Sequence, residues 1–469
     1  MMSVDNSGKR IPVVVYASNG WDTSLGVLRI VGPYEKSGIN LIKGNMGDVA
    51  YPELVSQADI VLIQRDYPRY AIVYERILNL ARTQGKPVVF DQDDLLLNLP
   101  EDHPDRLVYY YTDAVLPILK AVAEVDLVTA STLPLGDCLR QFNPNVQILP
   151  NYLDDRLWKF SPPRLPALDR SPVVITYMGS ESHTPDLQTI TPVLLNLLRR
   201  YGNRIRLDIL GVPLTPELVS QSNVVFAPLK SIIYEEFVNY FLSQEYDIAI
   251  APLRDNLFNR CKSGVKFMEY SASGIPGVYS RLDPYFALVE NGVNGYLATT
   301  LDEWEEYLIQ LIENPDLRYE MAQKAQETVK RDWLLSQHAH QWLDAYSDLL
   351  LTKTGRLADK SKSQELLVNL IDHVEDWQNV RLEQYDKVLS KVAVLEQDYL
   401  ATKSRLDDIY NSTAWKFTQF IWRIRLWFIP SGSRREKIGR QLKKRLSGFL
   451  TEGLPGFFRK IAKLITNSS

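Results

Sequence analysis

The sequence predicts two tandem α/β domains, each built on a parallel sheet, followed by an α-helical coiled coil and an amphipathic C-terminal extension. Three observations carry this prediction. Short apolar, β-branched runs alternate with helix-like segments from residue 12 to about 150, and the same alternation restarts after a proline-rich stretch. Beyond Lys353 the β signal stops and a polar helical pattern takes over. A chain of 469 residues has room for roughly two to four domains with cores of ordinary size.

The first domain, 1–155, carries the strand-like runs PVVVYA (12–17), ADIVLIQ (58–64), KPVVFDQ (86–92) and VDLVTAS (125–131). The stretch SPPRLPALDRSP (161–172) follows, a hinge or a plain surface loop, since proline lacks a donor and favours extended connections. The second domain, 156–335, repeats the rhythm with PVVITYMG, IRLDILG, NVVFAPL, YDIAIAPL and PGVYS. Residues 301–350 read as three helices, the last of which, 336–353, is expected to pack back on the first domain. From 360 to 412 a coiled-coil helix is expected. It has no Gly or Pro from 363 to 410, and Val388, Val392, Leu395, Tyr399, Leu406 and Ile409 fall at a and d spacing with Thr402 in the missing d place. A homodimer through 363–410 and an antiparallel fold-back onto the body are both open. Residues 413–469 form a basic tail in which aromatics and cations mix at helical spacing. That composition suits an anionic membrane surface, or a helix hairpin packed on the protein with a solvated basic face.

Composition narrows the function classes. The segment 411–469 holds 13 Lys or Arg against Glu436 and Glu452, so a chain of net charge −4 consists of an acidic body at −15 and a basic end at +11. Such a body is a poor nucleic-acid binder, and no nucleic-acid motif occurs. Two cysteines, Cys138 and Cys261, exclude a disulfide framework and a Cys-rich metal module. The N-terminal residues lack a signal-peptide pattern and the most apolar stretch, Phe417 to Pro430, is broken by Arg423 and Arg425. The expectation is a cytoplasmic protein without a spanning helix, peripheral at most on the inner face of the plasma membrane. No Gly-x-Gly-x-x-Gly, P-loop, His-Glu-x-x-His or Gly-x-Ser-x-Gly is present. His338 and His340, two apart on an expected helix, point away from each other and cannot share a metal.

The informative segment is APLRDNLFNRCKSGVKFMEYSASGIPGVYS, 251–280. It lies between two strands, and Ser263 is placed as the N-cap of a helix carrying Lys266 and Glu269, with Lys262 just before it. A helix N-terminus at the carboxyl end of a parallel strand attracts phosphate, two lysines suit a diphosphate, and a carboxylate one turn on can accept from a ribose. The residues alone leave open a surface Lys–Glu pair on a packing helix. Lys266 to Ser280, KFMEYSASGIPGVYS, resembles the donor-site signature of GT-B glycosyltransferases of the family-4, or group 1, type, here in the bacterial form with a KS-x2-K-x2-E helix. ENGVNGYLA (290–298), LPNYLD (149–154) and YMGSESHTPDL (177–187) extend the resemblance over about 150–350.

The resemblance implies two Rossmann-like domains. It implies donor binding by Gly179, Ser180, Lys262, Ser263, Lys266 and Glu269, with Glu269 on the ribose, the lysines on the diphosphate, and backbone N–H groups approaching at Gly179 and Ser180. Catalytic roles fall to Lys266 and His183, the latter as a donor in place of the basic residue expected after Gly179, where Glu181 and His183 stand. The family's first Glu, eight residues before Glu269, is Cys261 here, which implies altered sugar recognition.

On the acceptor side, SNGWDTSLGVLRI (18–30) nominates Gly20 and Ser24 beside a helix capped by Thr23 or Ser24, with Arg29 expected to pair with an acidic neighbour. FDQDDLL (90–96) contains an Asp-x-Asp at Asp91 and Asp93, read as a metal site, as acceptor-side lining or as a cap of the next turn. Asp93, Asp94 and His103 are the candidates there, and no metal or other cofactor is expected besides the nucleoside-diphosphate sugar as co-substrate. The function implied is a retaining, metal-independent transferase acting on a glycan or lipid-linked acceptor in surface polysaccharide or glycolipid synthesis. The alternative is a catalytically degenerate scaffold that assembles partners through its coiled coil.

Overall fold

The computed structural model describes residues 10–167, 171–228, 233–353 and 362–428, and residues 431, 433–438 and 440. Most of the basic tail, and residues 168–170 of the proline-rich stretch, lie outside the described residues. The chain divides into two compact units, 1–376 and 377–469.

The first unit holds two six-stranded parallel sheets. Strands β1 (Pro12–Ala17), β2 (Asn40–Lys43), β5 (Ile60–Gln64), β6 (Val88–Gln92), β7 (Leu127–Ala130) and β8 (Val146–Ile148) form the first in the order β2-β1-β5-β6-β7-β8, while β3 (Asn45–Met46) and β4 (Val49–Ala50) make a small antiparallel hairpin. Strands β9 (Val173–Met178), β10 (Ile205–Leu210), β11 (Val224–Ala227), β12 (Ile248–Ala251), β13 (Gly277–Ser280) and β14 (Tyr296–Ala298) form the second in the order β11-β10-β9-β12-β13-β14. The central strands β5, β6, β9 and β12 are buried along their whole length, as strands covered by helices on both faces must be. This is why the runs read as continuous Val and Ile instead of alternating. In both sheets the strand order reverses beside the first strand, between β1 and β5 and between β9 and β12, and open α/β sheets bind ligands at the carboxyl ends of such strands.

The region 301–350 contains four helical segments where three were expected: Leu301–Glu313, Pro315–Asp332, Leu335–His338 and His340–Lys353. The break after Asp332 arises where Leu153 pairs with Leu334 across an isolated bridge, which carries the chain back to the first domain. There Trp342, Ala345 and Tyr346 join the core formed by Val13, Val15, Ile30 and Tyr34, and the Tyr34 and Tyr346 hydroxyls meet at 2.8 Å.

Arg29 is a fully buried charge. Its guanidinium meets Asp91 through Nε at 3.2 Å and Nη2 at 2.6 Å, donates to the Leu149 carbonyl at 2.5 Å and to Asn151 Oδ1 at 3.1 Å, and lies over the Trp342 ring. Thr129 Oγ1 completes the Asp91 carboxylate at 2.7 Å. One buried cation therefore ties the first helix to β6, to the segment after β8 and to the returning helix.

In the second unit the helix Lys362–Asn411, which begins in the first, runs on and is followed by the helix Thr413–Phe428. Val388, Val392, Leu395, Tyr399, Leu406 and Ile409 are exposed along the first of these. Phe417, Phe420, Trp422, Trp427 and Phe428 are exposed on the second. Among the described residues no helix is long and apolar enough to cross a membrane.

Candidate active site

The carboxyl ends of the two sheets face a cavity of about 690 Å³ lined from both domains. The segment after β12 supplies its cations and its key carboxylate. Gly264 precedes the helix Val265–Ala272, and a side chain there would run into Leu288 and the Pro284 carbonyl, so only glycine lets the helix start this close. Gly274, at φ +74, closes the same helix in the left-handed region beside the Ser161 and Pro162 carbonyls.

 Glu269 sits one turn into this helix, buried, and accepts a 2.5 Å hydrogen bond on Oε1 from the Tyr234 hydroxyl, which in turn accepts from Trp158 Nε1 at 2.9 Å. Burial pushes the Glu269 carboxyl up to about 7 against the pull of Tyr234 and Lys266. Lys266 projects from the same helix over the Tyr177 ring, its Nζ 4.9 Å from the centroid, and burial lowers it to about 8. Lys262 lies over the Phe258 ring and 3.6 Å from Asp94 of the first domain. The cavity thus holds two cations and a carboxylate that water solvates poorly, an arrangement that favours an anionic ligand bearing hydroxyl donors.

The loop after β9 brings Gly179, Ser180 and His183 to the same cavity. His183 Nδ1 lies 2.9 Å from Asp186 Oδ2, while Asp186 Oδ1 accepts from the Arg254 backbone N–H at 3.0 Å and from Asn259 Nδ2 at 2.8 Å. Burial, with Lys266 adding to it, drives His183 down to about 3, so the ring is neutral at ordinary pH. An ionised Asp186 only accepts, so the ring proton belongs on Nδ1 and Nε2 is left as an acceptor. In this state the neutral ring presents an acceptor to the cavity, whereas the sequence leads one to expect a donor to phosphate at this position.

Other expected positions fall in different places. Ser263 lines the cavity but does not cap the helix: Gly264 occupies the cap position, and the Ser263 hydroxyl accepts from Asn151 Nδ2 at 2.9 Å. Ser24 lines the cavity, and Thr23 is the residue whose side chain caps, accepting from the Gly26 N–H. Gly20 lies outside the lining, with its carbonyl taken by Thr23. His103 is also outside it: the ring caps the short helix Pro104–Leu107 through Asp105 N–H and packs edge-on against Phe258. Asp93 and Asp94 do line the cavity, Asp93 held by Arg65 at 3.0 Å and Asp94 shared between Arg65 and Lys262. Asp91 points instead into the Arg29 pair, so the Asp-x-Asp does not present its two carboxylates together, and neither caps the following turn, whose cap position is Leu95. Among the described residues no group of three or more His, Cys, Asp or Glu is arranged to hold a metal ion. Cys261 is fully buried, 4.0 Å from Cys138 of the first domain, and takes no part in the lining.

Residues 194–344 match the family model described as glycosyl transferase-like. No curated protein sequence matches the chain. Among solved structures the chain is similar to Anabaena HepE in complex with UDP-glucose, at a TM-score of 0.51 and 15% identity over 72% of this chain and 100% of that one. It is likewise similar to sucrose-phosphate synthase from Thermosynechococcus elongatus, at a TM-score of 0.50 and 12% identity over 73% of this chain and 100% of that one. The fold is GT-B. In a GT-B molecule the two domains meet across the cleft, and here the lips are joined by a bidentate Arg254–Asp102 pair at 2.6 and 2.7 Å, by Asn151 to Ser263, and by the Tyr234 N–H to the Asp22 carbonyl at 2.8 Å.

Several GT-B cleft residues carried no sequence signal. Tyr234 and Trp158, which orient Glu269, are far from it in sequence and belong to no motif. Asp186, which fixes the tautomer of His183, reads as an ordinary first-turn acid. Phe226, Pro228 and Phe237 give the cavity an apolar wall, and nothing in their spacing distinguishes them from core residues.

Proposed function

We propose that the chain transfers a sugar from a nucleoside-diphosphate sugar to a hydroxyl acceptor in this cleft. The observation that carries the reading is the buried Glu269, oriented by Tyr234, in one cavity with Lys262 and Lys266 at the carboxyl ends of two parallel sheets. In this reading Glu269 accepts from the ribose hydroxyls, Lys262 and Lys266 meet the diphosphate, and the N–H groups at Gly179 and Ser180 approach the donor. The apolar wall of Phe226 and Phe237 suits a base. HepE was solved with UDP-glucose, which makes that donor the first to try.

In the transfer the bond from the anomeric carbon to the diphosphate oxygen breaks and a bond to the acceptor oxygen forms on the same face. The acceptor proton passes to the departing phosphate. Charge gathering on the diphosphate is met by the two lysines, which line the cavity before the reaction begins. No side-chain nucleophile is required. Ser24, Asp93 and Asp94 face the acceptor, and neutral His183 accepts from a sugar hydroxyl. Lys262 must exchange Asp94 for phosphate when the donor enters, so the pair couples donor binding to the acceptor side.

This assignment gives donor binding a pH window. Glu269 must be ionised and Lys266 protonated, so UDP affinity should fall as pH drops below about 7 and again as it rises above about 8. Lys266→Ala should weaken UDP by about tenfold or more, the worth of one charge-assisted contact, leave UMP nearly unchanged, and remove the alkaline limb. Equal losses for UDP and UMP in titrations would show that Lys266 does not meet the second phosphate.

We further propose that 413–469 brings the enzyme to an anionic membrane carrying its acceptor. The support is the row of exposed aromatics from Phe417 to Phe428 together with the basic composition that follows. The full chain should float with vesicles containing phosphatidylglycerol and lose this on deletion of 413–469; flotation that survives the deletion overturns the assignment.

A further inference from the structure

We propose that the helix Lys362–Asn411 pairs with the same helix of a second copy as a parallel, in-register, two-stranded coiled coil over residues 388–410. This goes beyond the donor-site reading and does not rest on it. At 50 residues the helix is about 75 Å long, and Val388, Val392, Leu395, Tyr399, Leu406 and Ile409 are each about half exposed or more along one stripe. Val392, Tyr399 and Leu406 occupy a positions, and Val388, Leu395, Thr402 and Ile409 occupy d positions. A valine at a with a leucine at d in the central heptad favours two strands.

The flanking charges select the partner and its direction. Lys391, Asp398 and Arg405 fall at g, and Glu396, Lys403 and Tyr410 at e. In a parallel pair each g residue faces the e residue five positions on in the other chain. Lys391 then meets Glu396 of the second copy, Asp398 meets its Lys403, and Arg405 lies beside its Tyr410, each contact occurring twice by symmetry. Both ion pairs are of opposite sign, so the second copy is the chemically matched occupant of this face. An antiparallel pair can match charges as well, with Asp398 facing Arg405 and Glu396 facing Lys403. That register opposes only 390–411, however, and leaves Val388 outside the seam. The parallel register keeps every a and d residue from Val388 to Ile409 opposed to its own copy.

The test uses the full chain in sedimentation equilibrium, with thermal melting as the check that the α/β body is folded. The wild type should be a dimer, and Val392→Asp with Leu395→Asp should raise the dissociation midpoint at least tenfold in concentration. A monomeric wild type, or a dimer unaffected by these substitutions, overturns the proposal. Direction is read from charge reversal. Glu396→Lys with Lys403→Glu puts like charges opposite Lys391 and Asp398 in a parallel pair and should weaken self-association. Mixing it with a Lys391→Glu, Asp398→Lys chain should restore a heterodimer. In the antiparallel register the first of these variants keeps all its opposite-sign pairs, so undiminished self-association by that variant overturns the parallel arrangement.

Discussion

Replacing Glu269 by alanine is expected to weaken binding of the donor nucleotide by at least about 100-fold. Two ribose hydroxyls donating to one carboxylate contribute about 1.5 to 3 kcal/mol each, and the substitution also leaves the buried Tyr234 hydroxyl without its acceptor. The glutamine variant separates binding from folding. A carboxyl raised from 4.5 to about 7 in the folded chain holds its proton more tightly than in the unfolded chain. Its contribution to stability is therefore complete below about 4.5 and is lost as pH rises through about 7, a change on the order of 3 kcal/mol. Glu269→Gln carries no charge to desolvate. It should melt higher than the wild type at pH 8, match it more closely at pH 5, and still bind nucleotide weakly. A variant that binds poorly and is also less stable at pH 8 would point to a structural role for the carboxylate.

The second large effect is structural. Arg29→Met should cost about 3 to 5 kcal/mol, because it strands Asp91 in the interior with Thr129 as its remaining side-chain donor. Removing both charges, Arg29→Met with Asp91→Leu, should recover much of the loss, since a buried ion pair exchanged for apolar side chains is often neutral. Chemical denaturation of the single and double variants measures the difference. A double variant no more stable than Arg29→Met alone would show that the Arg29 contacts to the Leu149 carbonyl and Asn151 matter more than the Asp91 pair.

The sheets were legible because buried parallel strands write themselves as uninterrupted β-branched runs, and the second domain repeats the pattern of the first. The helix of the proposed donor site was legible because Lys262, Lys266 and Glu269 lie within eight positions of one another. What escaped was set by distance in sequence. Trp158, Tyr234 and Glu269 form one chain of hydrogen bonds across 111 positions, and no periodicity links them. The cap was misplaced by one residue because Ser263 has the right chemistry, whereas Gly264 has the only shape that fits beneath Pro284 and Leu288. The protonation of His183 was not legible for a similar reason. Its identity suggests a donor, but Asp186 and the lysines around it decide its protonation. Arg29 shows the opposite case, where an arginine inside an apolar helix has so few alternatives that an acidic partner could be inferred before Asp91 was seen to supply it.

The central claim is that Glu269, Lys262 and Lys266 form a donor site that needs no metal. Calorimetric titration of the full chain with UDP, GDP and ADP, in EDTA and then in magnesium, tests it most directly, with Glu269→Ala beside the wild type. The account predicts that one of these nucleotides binds equally well with and without magnesium and that the alanine variant loses it. Failure of all three to bind, binding only with magnesium, or equal binding by the variant would contradict it.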